Sequence, residues 1–191
     1  TDSRQIVPGS VFVAIAGERV DGHDFVPKVG AQGAVAALVD HEIAGAQVPQ
    51  IVVENTVKAL GALAKHNIER RRALESPFTV IGITGSVGKT TTKEMTACLL
   101  ARSFHTARTE GNHNNNLGLP MTILDMPDDT EVAVLEMGMN HFGEMAYLTS
   151  IARPDIAIIT NIGTMHIEHL GSREGILQAN PDNVVIVDEA Y

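Results

Sequence analysis

The stretch GITGSVGKTT, from Gly82 to Thr91, carries the residue types that bind phosphate groups. Backbone N–H groups in a glycine-containing turn and at a helix start point toward an anion, and glycine lets the chain approach it closely. Lys89 can reach the outer phosphates of a nucleotide, and the Thr90 hydroxyl can bind magnesium. The strict pattern has glycine five residues before Gly88, where this chain has Ile83. We therefore predict a variant phosphate loop; the alternative is a turn needed only for packing. The predicted nucleotide-binding residues are Gly85, Ser86, Val87, Gly88, Lys89, Thr90 and Thr91.

Other polar side chains follow apolar runs where strands are expected to end. Glu136 comes after four apolar residues in EVAVLEMG, and His166 follows DIAIITNIG. Open parallel sheets bind their ligands at the carboxyl ends of the strands, so both residues are candidates for one site. Taken alone, each has an ordinary alternative, an exposed carboxylate and a surface or capping histidine. In GNHNNNLGLP, Asn112, Asn114 and Asn115 are candidates for contacts with substrate and phosphates, although Asn-rich segments are ordinarily turns.

The elements that position these residues form an alternating pattern. Among the 191 residues, 44% are hydrophobic and only 4% are aromatic, a composition typical of buried parallel strands alternating with helices. We predict a small α/β domain in residues 1–76, which ends with an amphipathic helix from Thr56 to Leu74. Beyond a linker at Pro77, we predict a phosphate-loop ATPase domain with a mostly parallel sheet in residues 77–180. Residues 181–191 are predicted to form the first strand of a further domain.

The charge balance argues against several classes of partner. With 14 Lys plus Arg and 23 Asp plus Glu, the formal net charge is -9, so we expect neither nucleic-acid binding nor attraction to an anionic membrane. No apolar run approaches the ~18 residues of a membrane span. The single cysteine, Cys98, excludes an internal disulfide and fits a reducing compartment. We expect a cytoplasmic, monomeric protein whose anionic ligands are bound by local donors.

Together, these stretches resemble the Mur ligases, the ATP-dependent bacterial enzymes that form amide bonds in peptidoglycan precursor synthesis. The resemblance rests on segments in the family's order: GITGSVGKTTTKEM, GNHNNNLGLP, EMGMNHFGEM and TNIGTMHIEHLGSREGI. Within the family, they are most similar to the member that joins D-alanyl-D-alanine to UDP-N-acetylmuramoyl-tripeptide. A sister Mur ligase, a folate polyglutamate ligase, another phosphate-loop enzyme such as a kinase, and an inactive nucleotide-binding fragment are the alternatives.

The resemblance implies a reaction in which ATP phosphorylates a peptide carboxylate and an amine attacks the resulting acyl phosphate. It implies ATP and magnesium as cofactors, with magnesium bound by Thr90, Glu136 and His166. Lys89 and His166 are then the catalytic candidates.

The first residues resemble the family's UDP-binding domain, through TDSR and GSVFVAIAGERVDGHDFV. This resemblance assigns Ser3 and Arg4 to the UDP group, since a hydroxyl and a guanidinium suit uracil and diphosphate. The segment DGHDF either belongs to that site or caps the following helix through His23 and Asp24.

The end of the chain departs from the family pattern. The family has a lysine, carbamylated in the mature enzyme, where this chain has Asn180. The segment NVVIVDEAY resembles the strand that begins the family's third domain. We therefore expect residues to be missing between Ala179 and Val184, and the natural start to lie upstream of Thr1.

Overall fold

The computed structural model describes residues 3–4, 6–17, 19–161 and 185–186. These residues form eight strands and five α-helices. The strands are β1 (Val11–Val13), β2 (Ala36–Val39), β3 (Gln50–Val52), β4 (Thr79–Thr84), β5 (Thr106–Arg108), β6 (Val132–Glu136), β7 (Ile156–Ile159) and β8 (Val185–Ile186). The helices are α1 (Val26–Val29), α2 (Thr56–Arg72), α3 (Lys89–Leu100), α4 (Gly118–Asp125) and α5 (Glu144–Ala152). Within these described ranges, no helix combines the length and apolar character that crossing a membrane requires.

The chain divides into two compact units, Thr1–Leu60 and Gly61–Tyr191. The division lies inside α2, whereas the sequence predicted a linker at Pro77. The reason is that Ala64 and Ile68, both fully buried, pack in the core of the second unit. The second half of α2 therefore belongs to the fold that follows it.

The first unit contains a parallel three-stranded sheet in the order β1-β2-β3. A 3-10 turn at Gly22–Phe25 leads into α1, which lies in the connection between β1 and β2. Phe12, Val26, Val29 and Val39 are buried in the core that joins these elements. Because the strands are parallel, their carboxyl ends lie along one edge of the sheet, where Asp40 follows β2.

The second unit contains a five-stranded sheet in the order β5-β6-β4-β7-β8, and every pairing is parallel. Successive residues of a strand point to opposite faces. Val80 and Leu135 pack with residues of α2, α4 and α5 on one face, whereas Ile81 and Val134 pack with Ala97 of α3 on the other. The α/β fold with a parallel sheet is thus confirmed.

The position of β4 defines the site. β4 lies between β6 and β7 in the sheet. After β4, the chain passes through α3 to β5 on one side; after β6, it passes through α5 to β7 on the other side. Open α/β sheets bind ligands at the carboxyl ends of the strands where the strand order reverses in this way.

The expected strand of a further domain has a different place. Val185 and Ile186 form β8, which pairs parallel with β7 in the sheet of the second unit. This pairing covers backbone N–H and C=O groups at what would otherwise be an open edge of β7.

Candidate functional site

Two glycines shape the loop between β4 and α3. Gly85 has φ = 129° and Gly88 has φ = 85°, conformations that disfavour residues with a Cβ atom. A Cβ on Gly85 would overlap the Thr160 side chain and lie 2.9 Å from the Thr160 amide nitrogen. The loop therefore needs glycine at these positions, even though Ile83 replaces the glycine of the strict pattern.

Lys89, the first residue of α3, folds back over the loop. Its Nζ donates a hydrogen bond of 2.6 Å to the carbonyl oxygen of Gly85 and a longer one to Ser86. Burial lowers the pKa of Lys89, and the negative charge of Glu136 partly opposes that shift. When a phosphate group binds, its oxygens would replace the carbonyl oxygens of Gly85 and Ser86 as the acceptors of Lys89 Nζ.

Two residues after β7 support the loop, and sequence reasoning missed both. The N–H of Ser86 donates to the Asn161 carbonyl at 3.0 Å, and the N–H of Val87 donates to Asn161 Oδ1 at 2.9 Å. The N–H of Thr160 donates to the Thr84 carbonyl at 2.9 Å, which extends the pairing of β4 and β7. Their only signal in the sequence was their place at a strand end.

Glu136 lies at the carboxyl end of β6 with only 2% of its surface exposed. Its Oε1 accepts a hydrogen bond of 2.9 Å from Asn114 Nδ2, and its backbone N–H donates to Thr109 Oγ1. Within the described part of the chain, no group donates a hydrogen bond to its buried Oε2. A buried carboxylate oxygen without a donor suits a cation, and magnesium prefers oxygen ligands.

Lys93 is the main residue that sequence reasoning missed. It is 0% exposed, and its Nζ lies 3.7 Å from Glu136 Oε2, 3.1 Å from Glu94 Oε1 and 3.2 Å from the Gly111 carbonyl. A buried ammonium group needs such partners. The sequence signal was its spacing, because Lys93 is one helical turn after Lys89 and residues four apart share a helix face.

The asparagines of the segment GNHNNNLGLP have different hydrogen-bond partners. Asn114 contacts Glu136, as described above, whereas Asn115 Oδ1 accepts hydrogen bonds from the N–H groups of Leu117 and Gly118 at the start of α4. Asn112 is exposed, and its carbonyl accepts from the N–H of Asn114 at 2.8 Å. Asn115 thus has the contacts expected of a turn, but like Asn114 it also lines the cavity described next, so both stay candidates for the site.

A cavity of about 500 Å³ adjoins these groups. Its lining includes Lys89, Asn114, Asn140, Glu144 and Tyr147. Burial would raise the pKa of Glu144, but hydrogen bonds from the N–H groups of Asn140 and His141 outweigh it, so the pKa is lowered. Burial raises the pKa of Tyr147, whose hydroxyl has no hydrogen-bond partner among the described residues. The cavity thus offers both charged and neutral polar groups beside the phosphate loop.

The remaining predicted residues lie elsewhere. Thr90 and Thr91 are exposed in the first turn of α3. Ser3 and Arg4 belong to the first unit. His166 and Asn180 lie outside the described residues.

Comparisons with known proteins agree with this geometry. Residues 83–181 match the Mur ligase middle domain, and residues 1–68 match the Mur ligase family, catalytic domain. The chain is 45% identical to the UDP-N-acetylmuramoyl-tripeptide–D-alanyl-D-alanine ligase of Bacillus subtilis, over 94% of this chain and 38% of that protein. It is 41% identical to the ligase of the same name from Escherichia coli, with the same coverage.

Solved structures give the same result. A crystal structure of MurF from Acinetobacter baumannii matches with a TM-score of 0.85 and 44% identity, over 94% of this chain and 39% of that one. MurF ligase from Thermotoga maritima, solved in complex with ADP, matches with a TM-score of 0.84 and 35% identity, over 97% of this chain and 44% of that one. The chain thus spans well under half the length of these relatives. With both of its units matched, the chain belongs to the Mur ligase family.

Proposed function

We propose that this chain is part of an ATP-dependent ligase that joins D-alanyl-D-alanine to UDP-N-acetylmuramoyl-tripeptide in peptidoglycan precursor synthesis. The observation that carries the proposal is that the loop bearing Lys89 and the buried Glu136 carboxylate lie at the carboxyl ends of the adjacent strands β4 and β6, where the charge of Glu136 raises the pKa of Lys89 against the effect of burial. The names of the relatives at 45% and 41% identity support the choice of substrates.

The reaction joins a carboxylate to an amine in two steps. A carboxylate oxygen of the tripeptide attacks the γ-phosphorus of ATP, so that ADP leaves and an acyl phosphate forms. The amine of D-alanyl-D-alanine then attacks the acyl carbon, loses a proton, and inorganic phosphate leaves. Lys89 neutralises charge on the phosphoryl group, and N–H groups at the start of α3, beyond those of Ser86 and Val87 that donate to Asn161, hold the nucleotide in position for the first step.

Magnesium fits the donors near the loop. Glu136 would hold it through the Oε2 atom that has no hydrogen-bond donor in the described chain, and Thr90 would add a hydroxyl oxygen. His166 is assigned to a second ion by the family resemblance alone. When bound, magnesium would neutralise the charge of the transferring phosphate. Asn114 holds the other carboxylate oxygen, Oε1, and Lys93 Nζ lies 3.7 Å from Oε2, so both residues fix the position of this carboxylate.

The two substrates have separate candidate regions. The cavity beside Lys89 and Asn114 is the candidate for the reacting groups. Ser3 and Arg4 are proposed to bind the UDP group, and Asn112 is retained as a substrate contact. Asn115 lines the same cavity, and its side chain also accepts hydrogen bonds at the start of α4.

Lys89→Ala tests this proposal, with Lys65→Ala on an exposed position of α2 as the matched control. Calorimetry on this chain measures Mg-ATP binding, which should be lost in Lys89→Ala and retained in Lys65→Ala. In a ligase that contains these residues and the remaining length of the relatives, amide formation followed by mass spectrometry should fall on the order of 1000-fold. Binding of the UDP substrate should persist in the variant.

Two outcomes would change the conclusion. Wild-type turnover in Lys89→Ala would overturn the phosphate-loop assignment. Mg-ATP binding without ligation, in a ligase with the remaining length of the relatives, would instead support the second candidate, an inactive nucleotide-binding protein.

A further inference from the structure

A cluster of imidazole and carboxylate groups lies at the end of β2 in the first unit, and the proposed ligase reaction does not use it. His23 comes from the 3-10 turn after β1, whereas Asp40 and His41 directly follow β2. Donor atoms of these three residues all lie within 4.8 Å of one another. The cluster therefore joins two segments that are 17 residues apart in sequence.

His23 is the fixed member of the cluster, with 3% of its surface exposed. Its Nδ1 lies 2.6 Å from Asp21 Oδ1, and Asp21 also accepts the backbone N–H of His23. A carboxylate at Nδ1 holds the proton on that nitrogen in the neutral ring, which directs the lone pair of Nε2 to the other side. Histidines that bind metals commonly have this kind of carboxylate partner.

The Nε2 atom of His23 faces an acceptor. Asp40 Oδ1 lies 3.1 Å away, and the Asp40 backbone N–H donates a long hydrogen bond of 3.3 Å to Nε2. A metal ion on Nε2 would replace this long hydrogen bond and would lie beside the partly exposed Asp40 carboxylate.

His41 adds a third donor to the same carboxylate. Its Nδ1 lies 2.5 Å from Asp40 Oδ1, and its ring stacks on that of His23 with centroids 4.8 Å apart. Zinc binds nitrogen and oxygen ligands at about 2.0–2.2 Å, which places tetrahedral ligand atoms about 3.3–3.5 Å apart. Because Asp40 is 38% and His41 62% exposed, small rotations of both side chains can reach this geometry.

We propose that His23 Nε2, Asp40 and His41 bind a divalent transition-metal ion of the zinc type, with Asp21 orienting His23. Two imidazoles and one carboxylate suit zinc, nickel or cobalt rather than magnesium, which prefers oxygen ligands. The fourth position stays open to water, because two of the three ligands reach solvent. The ion connects the turn at Gly22–Phe25 to the end of β2 and stabilises the first unit.

Zinc titration of the chelator-treated chain, followed by calorimetry, tests the proposal. All variants carry Cys98→Ser, so that the exposed thiol does not bind zinc. We expect one equivalent of zinc to bind, His41→Gln to weaken it at least 10-fold, and Asp21→Asn to weaken it 10- to 100-fold. His66→Gln, at an exposed position of α2, is the matched control and should bind zinc as the parent does.

Thermal unfolding gives a second readout that does not depend on any enzymatic activity. Zinc should raise the melting temperature of the parent chain and of His66→Gln, but not that of His23→Gln. Since His23 is buried, His23→Gln can also lower stability without metal, so the exposed His41→Gln variant is decisive. Absence of stoichiometric zinc binding, or equal affinity in His41→Gln and His66→Gln, would overturn the proposal.

Discussion

The carboxyl ends of the two parallel sheets carry different chemistry. At the end of β6, the Glu136 carboxylate is balanced by the ammonium group of Lys93 and accepts a hydrogen bond from Asn114. At the end of β2, the Asp40 carboxylate faces the imidazoles of His23 and His41. In both sheets, the parallel strands bring polar side chains together at their carboxyl ends, but the residue types differ and so do the ligands that they can bind. Lysine and oxygen donors suit a phosphate with a hard cation, whereas imidazoles suit a softer metal ion.

The largest stability effect should come from removing the lysine that balances Glu136. Lys93→Met leaves a buried carboxylate without its counter-charge, and we expect a loss of about 3–5 kcal/mol in the free energy of unfolding. Denaturant unfolding measures this loss, and the exposed Lys65→Met is the control. The double variant K93M/E136Q should lose less than the sum of the two single variants, since the charges act as a pair. Additive losses would show that Lys93 and Glu136 do not interact.

A smaller difference in stability is expected between a glycine variant in the loop after β4 and a glycine variant in a turn of the first unit. Gly85→Ala places a Cβ atom both in a left-handed conformation and against Thr160, so its loss in unfolding free energy should exceed that of a variant with the strain alone by about 1–3 kcal/mol. Gly45→Ala, at φ = 76° with open space around it, has the strain without the overlap. Unfolding free energies that are equal in the two variants would contradict the described packing of Gly85 against Thr160.

The smallest effect concerns pH and the cavity of the second unit. Hydrogen bonds from the N–H groups of Asn140 and His141 lower the pKa of Glu144 in the folded chain. Its contribution to stability is therefore present above the unfolded pKa of about 4.3, and is lost as the pH falls through the lower folded value. Glu144→Gln should flatten this acid dependence in unfolding measured between about pH 5 and pH 2. Because Glu144 is partly exposed, the change should be small, and an unchanged pH profile would contradict it.

The sequence predicted the parts of the site that depend on local order. A strand, a glycine-containing turn and a lysine at a helix start follow one another along the chain, so the loop around Lys89 could be recognised directly. Glu136 was proposed because it follows four apolar residues and also lies in the segment EMGMNHFGEM that resembles the family; taken alone, an exposed carboxylate was the ordinary alternative. The alternation of apolar runs likewise predicted the α/β fold.

The parts that depend on distant contacts could not be predicted in the same way. Lys93 resembles any exposed helical lysine until α3 packs beside Gly111 and Glu136. Asn115 and Asn114 are neighbours of the same type, and only the start of α4 decides which of them caps a helix. The alternative in which His23 and Asp24 cap the following helix was also incomplete, because the side chain that caps the turn is Asp21.

The placement of α2 has a practical consequence for dissecting the protein. A recombinant fragment that starts at Pro77 would remove Ala64 and Ile68 from the core around Val80, and would also remove Arg71, whose Nη2 donates to the Met126 carbonyl at 2.7 Å. Such a fragment would expose apolar surface and aggregate during expression. A start just before Thr56 retains the whole helix, so a recombinant fragment of the second unit should begin there.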